Sequence, residues 1–422
     1  MRNLSRRRGA AIRAFQTDDP ANNIRNIAHA FFLALAITIA EPSTILPLMV
    51  HHFSQSSVIV GLFASLLRGG AIVVQLYAAY HAQSYRRVMP YIRRVFFARF
   101  ASWFAIGAAI YLIGDSHPSL TLFFIGAGLF LFSFSAGFGA IYFKELQAKL
   151  FSRTYRGRTM ANRQVAGSIA SIISGGVAGY ILSRYEAPLN YAYLFMVSSF
   201  LMGIGFLIFG TIREPEKARI QEKEGHFGAF VRNAAALLGS DRRLRDQIVV
   251  LLLANGYLLA MPFVILKANT TFTLTGWMLG GFITLQMVGS ILGSTFLWRR
   301  ISDYERMLSL AILTMLLAYG VALFASDLYG YALVFLLFGI GLDGISISGM
   351  NLVIEIAPEE KRPIYTALQS NITSLGLFFP ILGGILLKYS DSYLLLYLLT
   401  LALLATALRL SRRLHRQAKE HT

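Results

Sequence analysis

The sequence predicts an all-α membrane protein of twelve spanning helices in two six-helix halves, and three observations support this. Hydrophobic residues make up 55% of the 422 and charged residues 14%, too apolar a balance for a soluble chain of this length. Apolar runs of about 20 residues, long enough to cross a bilayer, recur twelve times. Lysine and arginine gather in every second loop: 34 of the 39 lie in seven segments that share one face if twelve helices alternate. The formal net charge of +18 is therefore a topology signal and not a nucleic-acid footprint. The positive-inside rule places both termini in the cytoplasm.

Residues 1–26 read as a basic cytoplasmic tail with no small-residue cleavage site, so no cleaved signal peptide is expected. Spans at 27–49, 57–79, 94–113, 119–142, 164–183 and 191–212 make an N-terminal bundle over 27–212. Residues 213–246 are a cytoplasmic linker. It opens with the charged "REPEKARIQEKEG" and continues with Phe227, Phe230, Val231, Ala234, Leu237 and Leu238 at helical spacing, which predicts a short amphipathic helix on the inner membrane surface. Spans at 247–268, 276–298, 307–325, 331–354, 365–388 and 393–410 make a C-terminal bundle over 247–410, and 411–422 is a second cytoplasmic tail.

Several chemistries are excluded. The absence of cysteine removes disulfides, thiolate metal sites and cysteine nucleophiles. No G-x-x-x-x-G-K-S/T motif offers a phosphate loop, and the glycines of "GSIASIISGGVAGY" and "GGFITLQMVGSILGS" are spaced for close helix packing. His51 and His52 are adjacent, so their imidazoles diverge on a helix and make no metal pair. No metal or cofactor is expected.

The two halves repeat weakly. An offset of 220 residues lays "AEPSTIL" on "AMPFVIL", so Pro42 and Pro262 fall at one depth; an offset of 204 lays Arg158 on Arg362 and Gly179 on Gly383. Six spans, a basic linker and six spans resemble the major facilitator superfamily over essentially the whole chain. Its loop signature, G-x-x-x-D-R-x-G-R-R, is degraded to "AAYHAQSYRR", which keeps Arg86 and Arg87 and has Ala82 in place of the acid. The second-half copy, "RRISDYERM", keeps Asp303 and Arg306. "EPSTILP", "FKELQAKLFSRTYRGR" and "NLVIEIAPEEKRPIYTAL" are similar to a bacterial branch of the superfamily without a firmly assigned substrate. The resemblance implies two bundles related by an axis along the membrane normal and a midplane site lined by the first, fourth, seventh and tenth helices.

Chemistry is expected where charge meets apolar sequence. An acid at a helix centre costs roughly 2.5 to 3.5 kcal/mol in a bilayer, and the repeat has Met261 where the first half has Glu41. Glu41 is therefore not needed for the bend at Pro42, and a function is assigned to it. Arg68 lies at similar depth on the second span, and an internal Glu41–Arg68 pair would offset the cost of either alone. Asp343 in "GIGLDGISISG" is the third midplane charge. Proton uptake by Glu41 or Asp343, with Arg68 holding either the carboxylate or an anionic cargo, is one reading. A static ion pair that fixes helix packing, and for Asp343 a helix-interior hydrogen bond to a neighbouring serine or tyrosine, is the other. Gln286 is expected to face Arg68 across the cavity, and Gln75, Asn255, Tyr257 and Asn351 are further polar candidates that serve equally as interhelical hydrogen bonds. Pro42 and Pro262 are candidate gating bends. Arg86, Arg87, Arg158, Asp303, Arg306 and Arg362 are candidate cytoplasmic gate residues.

The expected function is secondary active transport of a small organic solute, anionic or zwitterionic, by alternating access in the cytoplasmic (inner) membrane, with a proton as coupling ion and the protein a monomer. A multidrug/proton antiporter is the alternative. A non-transporting sensor and a membrane-embedded enzyme are the remaining classes; the plain outer loops argue against the enzyme.

Overall fold

The structure is a computed structural model that describes residues 18–41, 43–82, 85–216, 236–301, 303–358 and 362–420. Pro42 and the linker residues Phe227, Phe230, Val231 and Ala234 lie outside the described residues, as do the side chains of Gln75 and Arg362. The first half comprises α1 (Pro20–Ile39), α2 (Ile45–Ser54), α3 (Ser57–Ala82), α4 (Met89–Leu112), α5 (Pro118–Leu150), α6 (Arg153–Arg184) and α7 (Leu189–Gly210). The second comprises α8 (Arg242–Ala254), α9 (Met261–Thr271), α10 (Gly276–Leu292), α11 (Tyr304–Phe324), α12 (Leu328–Ile356), α13 (Arg362–Thr373), α14 (Phe379–Ser390) and α15 (Tyr393–Glu420). Among the described residues there is no strand. Among the described residues ten helices are long and apolar enough to cross a membrane, and Ile45–Ser54 and the Ser57–Ile72 part of α3 are shorter apolar stretches.

Local chemistry sets the helix ends. Ser152, Asp241, Thr275, Asp303 and Asp327 each cap a helix by accepting a backbone N–H with the side chain. Asp303, a candidate gate residue, thus has a capping role, with Arg306 N at 2.9 Å.

Three predicted spans are interrupted near their middles, and the eighth ends in a π turn, Gly293–Leu297. The first divides between Ile39 and Ile45; the seventh passes through a 3-10 turn, Asn255–Leu259, before α9, with Pro262 in the first turn of α9. The eleventh divides in the same way, at Ser374–Phe378, with Pro380 in the first turn of α14. Proline has no N–H to give to the preceding turn, so it is tolerated where a helix begins. Each break lies near the middle of the molecule, where backbone groups freed from the helix need a polar or protein-lined setting.

The two halves meet along two seams, α3 against α14 and α6 against α10. Glycines let the backbones touch. A Cβ on Gly384 would stand 2.3 Å from Ser57 O, one on Gly61 2.1 Å from Pro380 O, and one on Gly280 2.3 Å from Gly175 O. Ser57 Oγ donates to Gly384 O at 2.8 Å and Ser65 Oγ to Leu377 O at 2.5 Å, tying the first seam further. Both seams lie in the parts of these helices away from the basic loops.

Among the described residues, three ion pairs at the basic end lie within one half: Lys149–Glu214 at 2.6 Å, Arg87–Glu216 at 3.0 Å and Arg243–Glu305 at 2.9 Å. Glu214 also accepts from Val88 N at 2.9 Å and Met89 N at 2.7 Å, satisfying N–H groups at the start of α4. Its side chain is only 2% exposed and that of Lys149 9%. Glu214→Ala would strand a buried cation and two donors, so a loss of roughly 3 to 5 kcal/mol of stability is expected. Thermal unfolding in detergent checks it, with Glu216→Ala, whose partner is half exposed, as the mild comparison. At the end of the linker, Leu237 and Leu238 pack on Leu244, Ile248, Val353 and Tyr365. That described portion is seated on the second half, where these apolar side chains find a protein face within reach.

Candidate transport site

Between α1 and α2 the chain turns at the centre of the molecule, and Glu41 O accepts from Ile45 N at 2.9 Å to start the second helix. The Glu41 side chain is 9% exposed. Its Oε1 lies 3.3 Å from Ser43 N and 3.1 Å from Ser43 Oγ, and Ser43 Oγ lies 2.9 Å from Gln286 Oε1 on α10. Glu41, Ser43 and Gln286 therefore form a buried polar chain that joins the two halves.

The proton count of that chain is informative. Ser43 carries one hydroxyl hydrogen and stands between two acceptor oxygens, and it cannot donate to both. All contacts are satisfied if Glu41 holds a proton and donates it to Ser43 Oγ, which then donates to Gln286 Oε1. With Glu41 ionised the hydroxyl is claimed by the carboxylate, and Gln286 must turn its amide to present Nε2 or lose the bond. The protonation state of Glu41 is thereby coupled to the orientation of the Gln286 amide across the halves.

Glu41 and Ser43 line a small cavity with Arg68, Met261, Pro262 and Pro380. Its volume is about 30 Å³, room for a water or two. Arg68 is exposed and makes no ion pair with Glu41 among the described residues, so the two share a cavity instead of a salt bridge. Gln286 bonds Ser43 and not Arg68, since equal depth from the repeat fixes height along the helix but not the direction a side chain faces. Asp343 on α12 lies beside Ser290 of α10 and Ser294 in the π turn that follows it, and Ser294 Oγ donates to Ser290 O at 2.6 Å. Asp343 Oδ2 is buried without a partner among the described residues.

A larger cavity of about 490 Å³ lies between α1, α6 and α10, on the basic side of the seams. Leu33, Ile37, Met160, Met287 and Ile291 give it apolar walls, and Thr38, Arg163, Gln164, Ser171 and Ser290 give it polar points. Ser290 connects it to Asp343. Arg163 is held from behind: its Nη1 donates to Asn26 O and, at 2.6 Å, to Asn26 Oδ1, and its guanidinium lies 4.7 Å from the Phe143 ring centre. Asn26 and Gln147 in turn exchange two hydrogen bonds, at 3.1 and 2.9 Å. His29 Nδ1 lies 3.4 Å from Arg163 Nη1, with the His29 ring stacked among Phe96, Phe143 and Phe206.

The other candidates are placed apart from this centre. Asn255 Nδ2 donates to Thr373 O at 3.1 Å and Asn351 Nδ2 to Ile347 O at 2.8 Å, both structural hydrogen bonds. Tyr257 is buried, and its carbonyl accepts from the Tyr319 hydroxyl. Arg86, Arg158 and Arg306 are exposed at the basic end. His52 Nε2 meets Asp115 Oδ1 at 2.9 Å at the opposite end, and no group of potential metal ligands occurs among the described residues. Ser43 and Arg163 were not foreseen as site residues. The only sequence signal for them was proximity to Glu41 in one case, and a cation just inside an apolar run in the other.

Two packed helical halves that share a buried polar chain, meet at one end and enclose a cavity toward the other have the architecture of a multi-pass membrane transporter. Comparison with known proteins agrees. The sequence profile of the Major Facilitator Superfamily matches residues 27–376 and 247–422, and the chain belongs to that superfamily. Among solved structures, an auto-inhibited POT family peptide transporter superposes with a TM-score of 0.71 at 14% identity, covering 95% of this chain and 97% of that one. The nucleoside transporter NupG gives 0.68 at 13%, covering 94% and 99%, and the inward-open xylose transporter XylE from E. coli gives 0.68 at 12%, covering 92% and 95%. A search of curated proteins returned no sequence match. At these identities the likeness is one of fold.

Proposed function

We propose that the chain is a secondary active transporter carrying a small organic solute, anionic or zwitterionic, by alternating access. The observation that carries this reading is the asymmetry of the contact between halves. Two glycine seams close one end, while a cavity of about 490 Å³ lies on the basic side of them. Following the positive-inside rule, the basic end faces the cytoplasm of a cell's inner membrane, which makes this an inward-facing form. Residues 27–212 and 247–410 are the two rocking bundles of a monomer, and 213–246 is the tether. When the basic end closes, the candidate gate residues Arg86, Arg87, Arg158, Asp303, Arg306 and Arg362 form latches between the halves.

Glu41 is the proton site in this reading, with Arg68 as the charge that shares its cavity. Taking up a proton completes the Glu41–Ser43–Gln286 chain and holds the halves together at the centre; releasing it weakens that hold. The breaks between Ile39 and Ile45 and before Pro262 let the first and seventh spans move at this level. Thermal stabilisation of the purified protein by a panel of organic anions, zwitterions and cationic drugs tests the cargo class. A ligand at 100 times its Kd stabilises by about 2.7 kcal/mol, enough to detect. Stabilisation by anions or zwitterions is expected; stabilisation by cationic drugs alone contradicts the anionic reading and favours a drug exporter.

A further inference from the structure

We infer that Arg163 is the recognition point for the negative group of the cargo, and that the cargo is an organic anion with an apolar body. This inference rests on the proposed transport cavity. Arg163 is the one charged side chain among the residues lining that cavity. A cation inside a membrane-spanning helix is costly unless water or an anion meets it, and no carboxylate pairs with Arg163 among the described residues. Its described neighbours are a backbone carbonyl, an amide oxygen, a histidine nitrogen and an aromatic face. None of them neutralises the charge.

Geometry supports recognition over mere packing. The Asn26 contacts and the close approach to His29 Nδ1 occupy Nη1, and Nη2 has only a 3.5 Å approach to His29. Nε has no acceptor among the described residues, so the Nε–Nη2 edge, which fits a carboxylate or sulfonate with two parallel bonds, is not used by the fold. Asn26, itself locked by Gln147, and Phe143 fix the guanidinium plane in advance. Leu33, Ile37, Met287 and Ile291 then offer apolar wall beyond the charge, in a volume typical of sites for small organic ligands. Arg68 is the weaker anchor, because it shares its cavity of about 30 Å³ with the acid Glu41.

The chain has no cysteine, so Ser168→Cys, on the cavity wall, gives a single reporter thiol. Its maleimide labelling is followed in detergent with naphthylacetate, the neutral naphthylacetamide and the cationic naphthylmethylammonium as shape-matched probes. Labelling without ligand and protection by naphthylacetate alone are expected. Arg163→Gln should raise the concentration needed for protection by about tenfold or more, the value of a charge-assisted pair, and Arg163→Lys by less. Equal protection by the amide, no protection by naphthylacetate, or protection unchanged in Arg163→Gln overturns the inference and leaves the transport reading standing. A thiol that does not label at all removes the cavity, and both readings fall. The amide comparison is made on native Arg163, so the result does not depend on how well the variants fold.

Discussion

Gly384→Ala is expected to shift the protein away from the form described here without unfolding it. The added methyl would stand 2.3 Å from Ser57 O and 2.9 Å from Val58 Cα, both backbone atoms that cannot swing aside. Overpacking of this kind costs about 1 to 3 kcal/mol. Because the clash lies between the halves, that cost applies to the state in which the seam is closed and vanishes when it opens. An equilibrium between two forms would move by roughly five- to a hundredfold. Labelling of Ser168→Cys in the cavity should slow, while a thiol at Thr284, in the other seam against Gly175, should label faster. Gly176→Ala, whose methyl would meet nothing within 4 Å, should change neither rate. A fall in stability with both thiols unchanged would mean that the seam is merely a packing surface.

Glu41→Gln should remove the pH dependence of that same equilibrium. The amide imitates a protonated acid: it donates to Ser43 Oγ and leaves the hydroxyl free to bond Gln286 at any pH. In the native protein the labelling rates at Ser168 and Thr284, each divided by that of a free thiol at the same pH because only the thiolate reacts, should change in opposite senses with pH, and in Glu41→Gln both ratios should be flat. Ser43→Ala cuts the chain from the other side. It leaves the buried carbonyl on Gln286 without its hydroxyl and the buried acid with only the backbone N–H of residue 43, worth about 1 to 3 kcal/mol, so the closed seams should be weakened by roughly tenfold or more. If the pH response survives in Glu41→Gln, the proton site lies elsewhere, and Asp343 with its unpartnered Oδ2 becomes the next residue to change.

Sequence alone carried the fold far and the site partway. Apolar run length and the alternation of cations across loops are set by the bilayer itself, so the helical membrane fold and its family were legible from them. Glu41 stood out because an acid in an apolar run has a cost that must be met. What met it did not: Ser43 and Gln286 are 243 residues apart, and no periodicity reports which way a side chain faces across a bundle. The division of the eleventh span at Ser374–Phe378 was equally hidden, since "GLFFPILGG" is apolar enough to pass as one helix. Arg163 was counted among the loop cations that fix topology. The structure places it about a third of the way along α6, against Asn26 and His29, where a topology signal becomes a charge inside a cavity.

Alternating access is the central claim, and distances between spin labels test it most directly. With no native cysteine, one pair is placed at Glu186 and Thr273, exposed at the seam end, and a second at Arg158 and Arg306, exposed at the basic end. Two distance populations are expected for each pair, changing in opposite directions when pH is altered or Gly384→Ala is introduced: the seam-end pair lengthens as the basic-end pair shortens. A single unchanging distance at both ends under every condition would contradict the account, and would make this chain a binding protein with a transporter's fold.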